Sequence, residues 1–519
     1  MIPLSVKRAL VVGRAGSGAA AAALLGRRGV WVTHVDAGPA AGEPPPGRDP
    51  VELVVVSAGA GSLAEAGVEP WVSRGVQVIG ERELAFQQSY CLHVAVTGAT
   101  GKRTTAELIA HVLRSAGRQV EVAAGTDRPA CAIAERTRDL DFLVHAVAPE
   151  ELESFRFFRP VVGVLLNAPE RDESEAGEAG IRRYARLFAT QQPFDWAVVE
   201  SRALARLELA GLGLPGKTIT FSAGSRRADL GFDRGLLVSR IEGWAGPLWD
   251  MARGHLRGPH LAEDAMVALA VGRVLRLGLD DMTSALAGFR APAGRFESLG
   301  EVDGVEFVHD GCARHMEALD RALVALAPSP PENPFIWLIA GGASAGRQFY
   351  DLGPVLSPRV KHAFVLDETA AAMQSAWQLF TPCTPVTSLL DATQRAVEQA
   401  TPGDVILYSP GCPSRGTFPE SGAGTDVFRD VFRARLQKAG ESGGSRVPRD
   451  RAPGSGPSSN PGAAPSAAPA GSAASAPSAA TTTPPAPPAA FQGSALRRSP
   501  STGTGGVPIP SESPTSHRS

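Results

Sequence analysis

Short apolar runs alternate along most of this chain with longer stretches whose apolar residues lie three or four positions apart. The runs predict buried strands, and the stretches between them predict helices packed on one face. The first set predicts a strand at 9–12, a glycine turn at 13–18, a helix at 19–25 and a strand at 30–36. This order is half of a doubly wound, Rossmann-like fold, in which glycine turns approach a nucleotide closely.

Two more strands, at 53–57 and 76–80, and a following helix extend this first domain, which we place at residues 1–90. A second domain, at 91–291, opens with an apolar strand at 93–97. Its other predicted elements are helices at 106–116 and 262–277 and strands at 142–148, 161–166 and 196–199. Because these strands are apolar and separated by helical spacing, their sheet is predicted to be parallel.

A third domain, at 292–440, shows the same alternation. Its predicted strands lie at 305–308, 335–339, 362–366 and 404–408, and its predicted helices at 316–327, 389–400 and 425–436. Residues 441–519 are mainly Ser, Pro, Ala, Gly and Thr, which bury too little apolar area to offset the entropy of ordering, so a disordered tail is predicted. The predicted fold class is therefore α/β, with three domains and a disordered C-terminal tail.

Composition excludes several classes of partner. Lys+Arg number 51 and Asp+Glu 53, so no overall field favours nucleic acid or an anionic membrane surface, and a small-molecule partner is expected. The five cysteines form no C-x-x-C pair, which argues against a disulfide framework or a zinc site. With no signal segment and no run of about 18 apolar residues, the sequence predicts a cytoplasmic protein without membrane insertion.

The strongest chemical motif follows the strand at 93–97. Gly98, Gly101, Lys102 and Thr104 form a glycine loop between a buried strand and a helix. In such a loop, backbone N–H groups, the helix N-terminus and a lysine converge on phosphate. The loop is shorter than the full Walker motif, which has about four residues between its glycines. A plain turn with a solvent-facing lysine is the alternative to a nucleotide-binding loop.

Five segments, in this order along the chain, resemble motifs of the Mur ligase family, and specifically of its D-glutamate-adding members. The loop at 97–105 resembles the family's T-G-T-x-G-K-[ST]-T. The others are Glu151-Leu-Glu-Ser-Phe155, which resembles E-L-S-S-F, Arg295-Phe296-Glu297 for R-F-E, Asp310 for the start of D-S-K, and 409–414 for S-P-A-C-A-S. The similarity extends across residues 1–440.

This resemblance implies a Rossmann-like domain for a UDP-muramyl substrate, a central P-loop ATPase domain and a Rossmann-like C-terminal domain. It also implies a monomer that uses ATP and Mg²⁺ to phosphorylate the carboxylate of UDP-N-acetylmuramoyl-L-alanine, after which the amine of D-glutamate displaces phosphate, in peptidoglycan synthesis. The implied residues are Lys102, Glu151 and Asp172 for catalysis; Gly98, Gly101, Lys102, Thr104, Thr105, Arg295 and Asp310 for ATP; Thr104, Glu151 and Asp172 for metal; and Ser17, Asp36, Arg347 and Ser414 for the UDP-muramyl and amino-acid substrates.

The chain departs from the family's pattern at the metal and phosphate groups. Arg103 replaces the hydroxyl directly after the loop lysine, and Asp172 stands where the family has a histidine. Phe188 aligns with the lysine that the family carbamylates to bind a second magnesium ion, and Cys312 replaces the lysine of D-S-K. The family's lysine for the amino-acid substrate is missing, and Arg347 is the nearest cation. The resemblance therefore implies a family member with a degenerate active site.

Two other functions stay open. One is a non-catalytic relative that binds nucleotide or wall precursor as a scaffold or regulator, and the other is a ligase for a different amino acid. Lys217, at what the pattern indicates is a strand start, would have to reach the metal site to replace the missing lysine. His260 is expected to make a local hydrogen bond at a helix start, and the acidic run at 170–175 is more typical of a solvated loop than of a metal site.

Overall fold

The described part of this chain contains three β-sheets with helices packed against them. The computed structural model describes residues 5–13, 16–42, 50–168, 177–326, 332–343, 349–412 and 427–441. The predictions made for Asp172, Arg347, Ser414 and residues 442–519 lie outside these ranges. Within the ranges, no helix combines the length and apolar character needed to cross a membrane.

The first sheet has strands β1 (Arg8–Val12), β2 (Trp31–Val35), β3 (Leu53–Val56) and β4 (Gln77–Gly80). They are parallel, in the order β2-β1-β3-β4. The accompanying helices are α1 (Gly16–Arg27), α2 (Glu69–Ser73) and α3 (Glu81–Gln87), with a 3-10 turn at Pro39–Gly42. Alternate residues of β1 and β3 pack into separate apolar clusters on the two faces of the sheet, so both strands are buried throughout.

The second sheet is the largest in the described part of the chain. Its strands are β5 (Leu92–Thr97), β6 (Val120–Ala124), β7 (Phe142–Ala146), β8 (Val162–Leu165), β9 (Trp196–Glu200), β10 (Lys217–Ser222), β11 (Leu230–Asp233), β12 (Leu236–Ser239) and β13 (Gly246–Asp250). Their order is β13-β12-β11-β10-β9-β8-β5-β7-β6. The strands from β5 to β11 are parallel, as predicted.

The last two strands of this sheet are antiparallel, which the parallel-sheet prediction did not include. Arg234 and Gly235 form the two-residue connection between β11 and β12, and their φ values are 45° and 91°. Positive φ at both central residues is the geometry of the tight turn that joins antiparallel strands. The chain therefore reverses here instead of crossing over through a helix.

The helices of the second sheet are α4 (Lys102–Ser115), α5 (Ala130–Ile133), α6 (Glu178–Ala185), α7 (Ser201–Leu209), α8 (Gly258–Val274) and α9 (Leu279–Gly288). Short 3-10 segments lie at Ala134–Asp139, Pro149–Ser154 and Met251–Arg253. Helix α4 begins earlier than the predicted 106, because the glycine loop leads directly into its first turn. Apolar faces of α4, α8 and α9 join one cluster with the strands of this sheet.

The third sheet has strands β14 (Glu297–Val302), β15 (Val305–His309), β16 (Ile336–Gly341), β17 (Val360–Leu366), β18 (Cys383–Pro385) and β19 (Val405–Tyr408), in the order β14-β15-β19-β16-β17-β18. Only β14 pairs antiparallel among these strands. The helices are α10 (Met316–Leu326), α11 (Gly353–Leu356), α12 (Ala370–Trp377), α13 (Leu389–Gln399) and α14 (Val427–Glu441), with 3-10 turns at Tyr350–Leu352 and Asp367–Thr369.

The predicted site loops follow the carboxyl ends of parallel strands. Gly13 follows β1, Gly98 follows β5, Asp310 follows β15 and Ser409 follows β19. Ligands of open parallel sheets bind at this edge. Lys217, in contrast, begins β10 and therefore lies at the opposite edge of the second sheet. The strands of the three sheets fall within residues 8–80, 92–250 and 297–408, and the domain boundaries at 90, 291 and 440 stay predictions.

Candidate functional site

The glycine loop after β5 is held in a conformation that requires its glycines. Gly98 has a φ of 145° and Gly101 a φ of 86°, both in the left-handed region that side chains disfavour. A Cβ at Gly98 would also lie 3.1 Å from the Cβ of Leu166. Thr97, fully buried, donates its hydroxyl to the Val147 carbonyl at 3.0 Å. No side chain caps α4, so its first-turn N–H groups remain for an anion.

Asn167 and Lys102 complete this loop. The Asn167 side chain accepts from the Thr100 N–H at 3.0 Å and donates to the Thr100 carbonyl at 3.2 Å, so it braces the loop from the end of β8. The Lys102 ammonium donates to the Gly98 and Ala99 carbonyls at 2.7 and 2.8 Å. The ammonium therefore lies over the loop, beside the uncapped helix end, and is half-buried instead of extending into solvent.

The two threonines after the loop differ in what their hydroxyls contact. The Thr105 hydroxyl donates to Asp264 on α8 at 2.6 Å and lies 3.1 Å from the Gly101 carbonyl oxygen. Burial raises the pKa of Asp264 to about 7. Thr104 is also buried, but its hydroxyl makes no hydrogen bond with any described residue. Thr104 therefore has the hydroxyl that remains for a ligand, whereas Thr105 holds two helices together.

Arg103 points away from the loop. Its guanidinium donates to the Ala124 carbonyl at 3.0 Å and forms an ion pair with Asp127, in the turn that follows β6. The same turn contacts the first domain, because a Cβ at Gly16 would lie 2.4 Å from the Thr126 carbonyl oxygen. Arg103 thus ties the start of α4 to a turn that touches the glycine turn of the first domain, and does not supply the missing hydroxyl.

Arg295 brings positive charge from the third domain toward the loop. Its guanidinium is half-buried and makes no hydrogen bond or ion pair with described residues. Burial and the nearby guanidinium groups of Arg103 and Arg314 lower the pKa of Arg295, while Cys312 and Asp310 oppose them. Cations that lie close together away from water disfavour one another, and an anion beside Arg295 relieves this cost. The arrangement therefore favours a phosphate.

Asp310 anchors the junction beside Arg295. Its carboxylate accepts from the Phe296 N–H at 3.0 Å and from the Ser409 hydroxyl at 2.9 Å. Phe296 has a φ of 48°, an unfavourable conformation for a bulky residue, and the bond from Asp310 helps to hold it. Burial raises the pKa of Asp310 to about 7. Both oxygens of Asp310 are engaged within the protein, so its predicted contact with nucleotide stays a prediction.

Glu151 has a partner that the sequence analysis missed. One carboxylate oxygen accepts from the Arg82 Nε at 2.9 Å, and the other accepts from the Ala148 N–H at 2.7 Å. The Arg82 side chain is only 1% exposed, although it belongs to the charged run Glu81-Arg82-Glu83 at the start of α3. In the sequence, this run lies between an apolar strand and the apolar residues that continue α3. Its position between apolar residues was the available signal that its charges are buried.

The second metal position of the family does not fit this chain. Phe188 is 1% exposed and packs in an apolar cluster with Phe158 and Tyr184. Lys217 lies 5.3 Å over the ring of Trp196, at the edge away from the loop, and does not replace the missing lysine. Among the described residues no group of three or more His, Cys, Asp or Glu side chains could hold a metal ion. The Thr104 hydroxyl, in contrast, fits an ion that arrives with nucleotide phosphates.

The first domain has its own predicted contacts at Ser17 and Asp36. Ser17 is fully buried, and its hydroxyl oxygen accepts from the Ala58 N–H at 2.9 Å. Asp36 follows β2 and is exposed. A carboxylate at this place in a Rossmann-like fold accepts hydrogen bonds from ribose hydroxyls. The structure thus places Ser17 in the first turn of α1 and Asp36 at the surface beyond β2.

Helix α8 contributes two further groups, His260 and Asp264, of which Asp264 lies beside the glycine loop. The Nδ1 of His260 is buried without a partner among the described residues, and its ring packs edge-on against Phe296 at 5.5 Å, so the expected local hydrogen bond is wrong for that nitrogen. Burial and nearby Arg321 lower the pKa of His260 to about 3. Asp264 was missed, although two acids inside the apolar stretch of this helix were a visible signal.

Comparison with protein families and named relatives adds to this geometry. Residues 294–412 match the family described as Mur ligase, glutamate ligase domain. The UDP-N-acetylmuramoylalanine--D-glutamate ligase of Pelotomaculum thermopropionicum is 30% identical in an alignment of 452 positions, which covers 82% of this chain and 97% of that protein. The ligase of the same name from Anaeromyxobacter dehalogenans is 31% identical and covers 81% of this chain and 96% of its own.

Solved structures agree on the fold. The MurF ligase from Thermotoga maritima in complex with ADP superposes with a TM-score of 0.54 at 17% identity, over 84% of this chain and 97% of its own. The UDP-N-acetylmuramate-alanine ligase MurC from the same organism gives a TM-score of 0.52 at 15% identity, over 84% and 99%. The predicted three-domain α/β fold is confirmed.

Proposed function

The chain belongs to the Mur ligase family, and we propose that it is an ATP-dependent ligase that adds D-glutamate to UDP-N-acetylmuramoyl-L-alanine in peptidoglycan synthesis. Relatives named as D-glutamate ligases match most of this chain, which favours this activity over a non-catalytic scaffold or a ligase for another amino acid. The observation that carries the proposal is the glycine loop, where the Lys102 ammonium lies beside the uncapped end of α4.

Four groups of this chain would stabilise the transferred phosphoryl group. The first-turn N–H groups of α4 and the Lys102 ammonium would hold the phosphates, and Arg295 would approach from the third domain with its free guanidinium. Cations and N–H dipoles aimed at charge that develops in the transition state are the main source of rate in phosphoryl transfer. Magnesium bound with ATP supplies Lewis-acid charge there, and the Thr104 hydroxyl is the described group that would hold it.

The reaction would proceed in two displacements. A carboxylate oxygen of the muramyl substrate forms a bond to the γ-phosphorus of ATP while the bond to the leaving ADP breaks. The free amine of D-glutamate then attacks the acyl carbon, and phosphate leaves with the electron pair of the C–O bond as the amine loses a proton. Excluding water protects the acyl phosphate from hydrolysis, and closure of the third domain over the loop would provide that exclusion.

The substrates are proposed to lie on both sides of the loop. The first domain, residues 1–90, would bind the uridine nucleotide at the edge that carries Asp36, with Ser17 shaping the turn from inside. The amino acid would lie against the third domain, residues 292–440, where Arg347 and Ser414 are the proposed contacts. We place the reaction in the cytoplasm. We also expect a monomer, since the proposed site needs residues from one chain only.

Phosphate release tests this function directly. The full chain is mixed with UDP-N-acetylmuramoyl-L-alanine, D-glutamate, ATP and magnesium, and both phosphate and the amide product are measured. We expect release that depends on D-glutamate and disappears in Lys102→Ala. Lys7→Ala is the matched control, because Lys7 is exposed just before β1, at the edge away from the glycine loops. Bound ATP without phosphate release in the unaltered chain would contradict ligation.

A further inference from the structure

The contact between Arg82 and Glu151 joins the first domain to the second. The Arg82 Nε donates to Glu151 at 2.9 Å, one Nη lies 3.4 Å from the Ala123 carbonyl oxygen, and the other Nη is buried with no partner among the described residues. Arg82 lies within a cavity that Ser57, Gly80, Glu151 and Ser154 also line. The guanidinium is therefore fixed at the side of Glu151 that faces this cavity.

Glu151 is the main counterion of this buried cation. Glu81 also lies beside Arg82, but burial raises the pKa of Glu81 to about 7, so that carboxyl is partly neutral near physiological pH. Arg82 is 1% exposed and Glu151 13% exposed. Removing one partner from such a pair leaves an uncompensated charge away from water, which is costly. The pair is therefore a permanent part of the structure.

A divalent ion and this guanidinium compete for the same carboxylate. Mg²⁺ requires oxygen ligands at about 2.0–2.1 Å in octahedral geometry, and it would repel a cation that already donates to Glu151. The other oxygen of Glu151 is held by the Ala148 N–H. The apolar packing of Phe188 closes the position from which the family supplies a further ligand. If Arg82 were displaced from Glu151, Glu81 would be the carboxyl beside it, and because Glu81 is partly neutral it would compensate the guanidinium less well.

We propose that Arg82 is a built-in cation that takes the place of a second divalent ion beside Glu151, so that this chain binds a single divalent ion, together with nucleotide. The inference rests on the proposed nucleotide-binding function and deepens it. In this arrangement the buried, unpartnered Nη of Arg82 is the donor left for a single oxygen atom, because the cavity that Arg82 lines is about the size of one water molecule. Arg82 would hold that oxygen with fixed geometry and without a metal.

Counting bound ions tests this proposal. The full chain is titrated with Mn²⁺, a paramagnetic replacement for Mg²⁺, at saturating ADP, and free Mn²⁺ is measured by electron paramagnetic resonance. We expect one ion per chain in the unaltered protein and the same number in Glu151→Gln. Two ions in the unaltered protein would overturn the proposal. The count needs no acceptor substrate, so it stands apart from any failure of ligation.

A charge-removal variant gives a second readout. Arg82→Met keeps an unbranched apolar stem but leaves Glu151 without its cation. We expect its melting temperature to fall and to rise again when Mn²⁺ is added without nucleotide, whereas the double variant Arg82→Met/Glu151→Gln should not respond to Mn²⁺. A melting temperature of Arg82→Met that Mn²⁺ does not change would show that Glu151 accepts no divalent ion, which contradicts replacement. If Arg82→Met does not fold, the ion count in the unaltered chain and in Glu151→Gln still decides.

Discussion

The Thr105 hydroxyl donates a 2.6 Å hydrogen bond to the Asp264 carboxylate, and this contact fixes the first turn of α4 to α8. Of the charged groups that act on this carboxylate, Glu263 lies on α8, Arg321 lies on α10 and Arg295 lies just before β14. The pKa of Asp264 is raised to about 7, mainly by burial and also by neighbouring Glu263, while the Thr105 hydrogen bond, Arg321 and Arg295 lower it. The charge of a carboxyl group beside the glycine loop therefore changes near neutral pH.

The titration of Asp264 predicts a pH-dependent stability. The folded pKa of about 7 lies above the ordinary value of 3.8, so the native state binds more protons between about pH 4 and 7, and the free energy of unfolding falls as pH rises through that window. Asp264→Asn does not titrate, so it lacks this loss of unfolding free energy with rising pH. Its amide oxygen still provides an acceptor for the Thr105 hydroxyl. We expect the variant to gain melting temperature over the unaltered chain between pH 5 and 8. Glu208→Gln, at an exposed position of α7, should follow the unaltered chain, and a parallel profile for Asp264→Asn would contradict the assignment.

The Arg103–Asp127 ion pair predicts a small coupling energy. The two side chains are 27% and 60% exposed, and ion pairs at such positions contribute at most about 1 kcal/mol. A double-mutant cycle with Arg103→Ser and Asp127→Asn, followed by urea unfolding, should therefore give a coupling of less than about 1 kcal/mol. We also expect Arg103→Ser to keep ADP binding, since Arg103 points toward β6. Loss of ADP binding comparable to that of Lys102→Ala would place Arg103 at the phosphate after all.

The glycine loop could be predicted from the sequence because all its determinants are local. An apolar strand, two glycines and a lysine lie within a few residues, and β5 and α4 confirm that order. The same holds for β1, where an apolar run alone predicts a buried strand. The predicted helices and strands differ from the observed ones mainly at their ends, where caps and loops decide which residues still form backbone hydrogen bonds.

The contacts that alter the site could not be predicted in this way. Arg82 meets Glu151 across 69 positions of the chain, and Thr105 meets Asp264 across 159. In sequence, the run 81–83 has the composition of a solvated helix start, yet all three of its charged side chains are buried. Strand β6 was missed because its short run includes a glutamate and ends in alanines, a pattern as typical of a helix.

The buried position of Phe188 leads us to predict that a lysine introduced there will not restore the family's second metal site. A lysine at this buried position would leave a cavity in the apolar cluster and a charge without a partner, and we expect Phe188→Lys to destabilise the fold by about 3–5 kcal/mol. Phe188→Leu, which leaves only a cavity, should cost clearly less. Urea midpoints of the two variants measure the difference. A Phe188→Lys protein of unaltered stability that binds an extra Mn²⁺ ion would contradict this interpretation.

The glycines of α1 provide a matched pair of substitutions on one helix. A Cβ at Gly18 would lie 1.8 Å from the Gly13 carbonyl oxygen and 2.9 Å from the Nε2 of His34, whereas a Cβ at Gly26 meets no atom within 4 Å. The Gly13 carbonyl belongs to the backbone and cannot move aside as the end of a flexible side chain can. The added Cβ of Gly18→Ala must therefore push α1 away from the turn after β1. We expect this to cost at least about 1–3 kcal/mol, the usual range for overpacking.

Gly26→Ala should have the opposite effect. Alanine at an exposed position in a helix is about 1 kcal/mol more favourable than glycine, so this variant should raise the stability of the chain slightly. Thermal and urea unfolding measure both variants, and binding of UDP-N-acetylmuramoyl-L-alanine by calorimetry measures the site. Because Gly18 packs against Gly13, at the turn proposed to face the uridine nucleotide, Gly18→Ala should also weaken that binding, while Gly26→Ala leaves it unchanged. Equal binding by the two variants would mean that the nucleotide does not use this turn, and the proposed position of the UDP-muramyl substrate would be wrong.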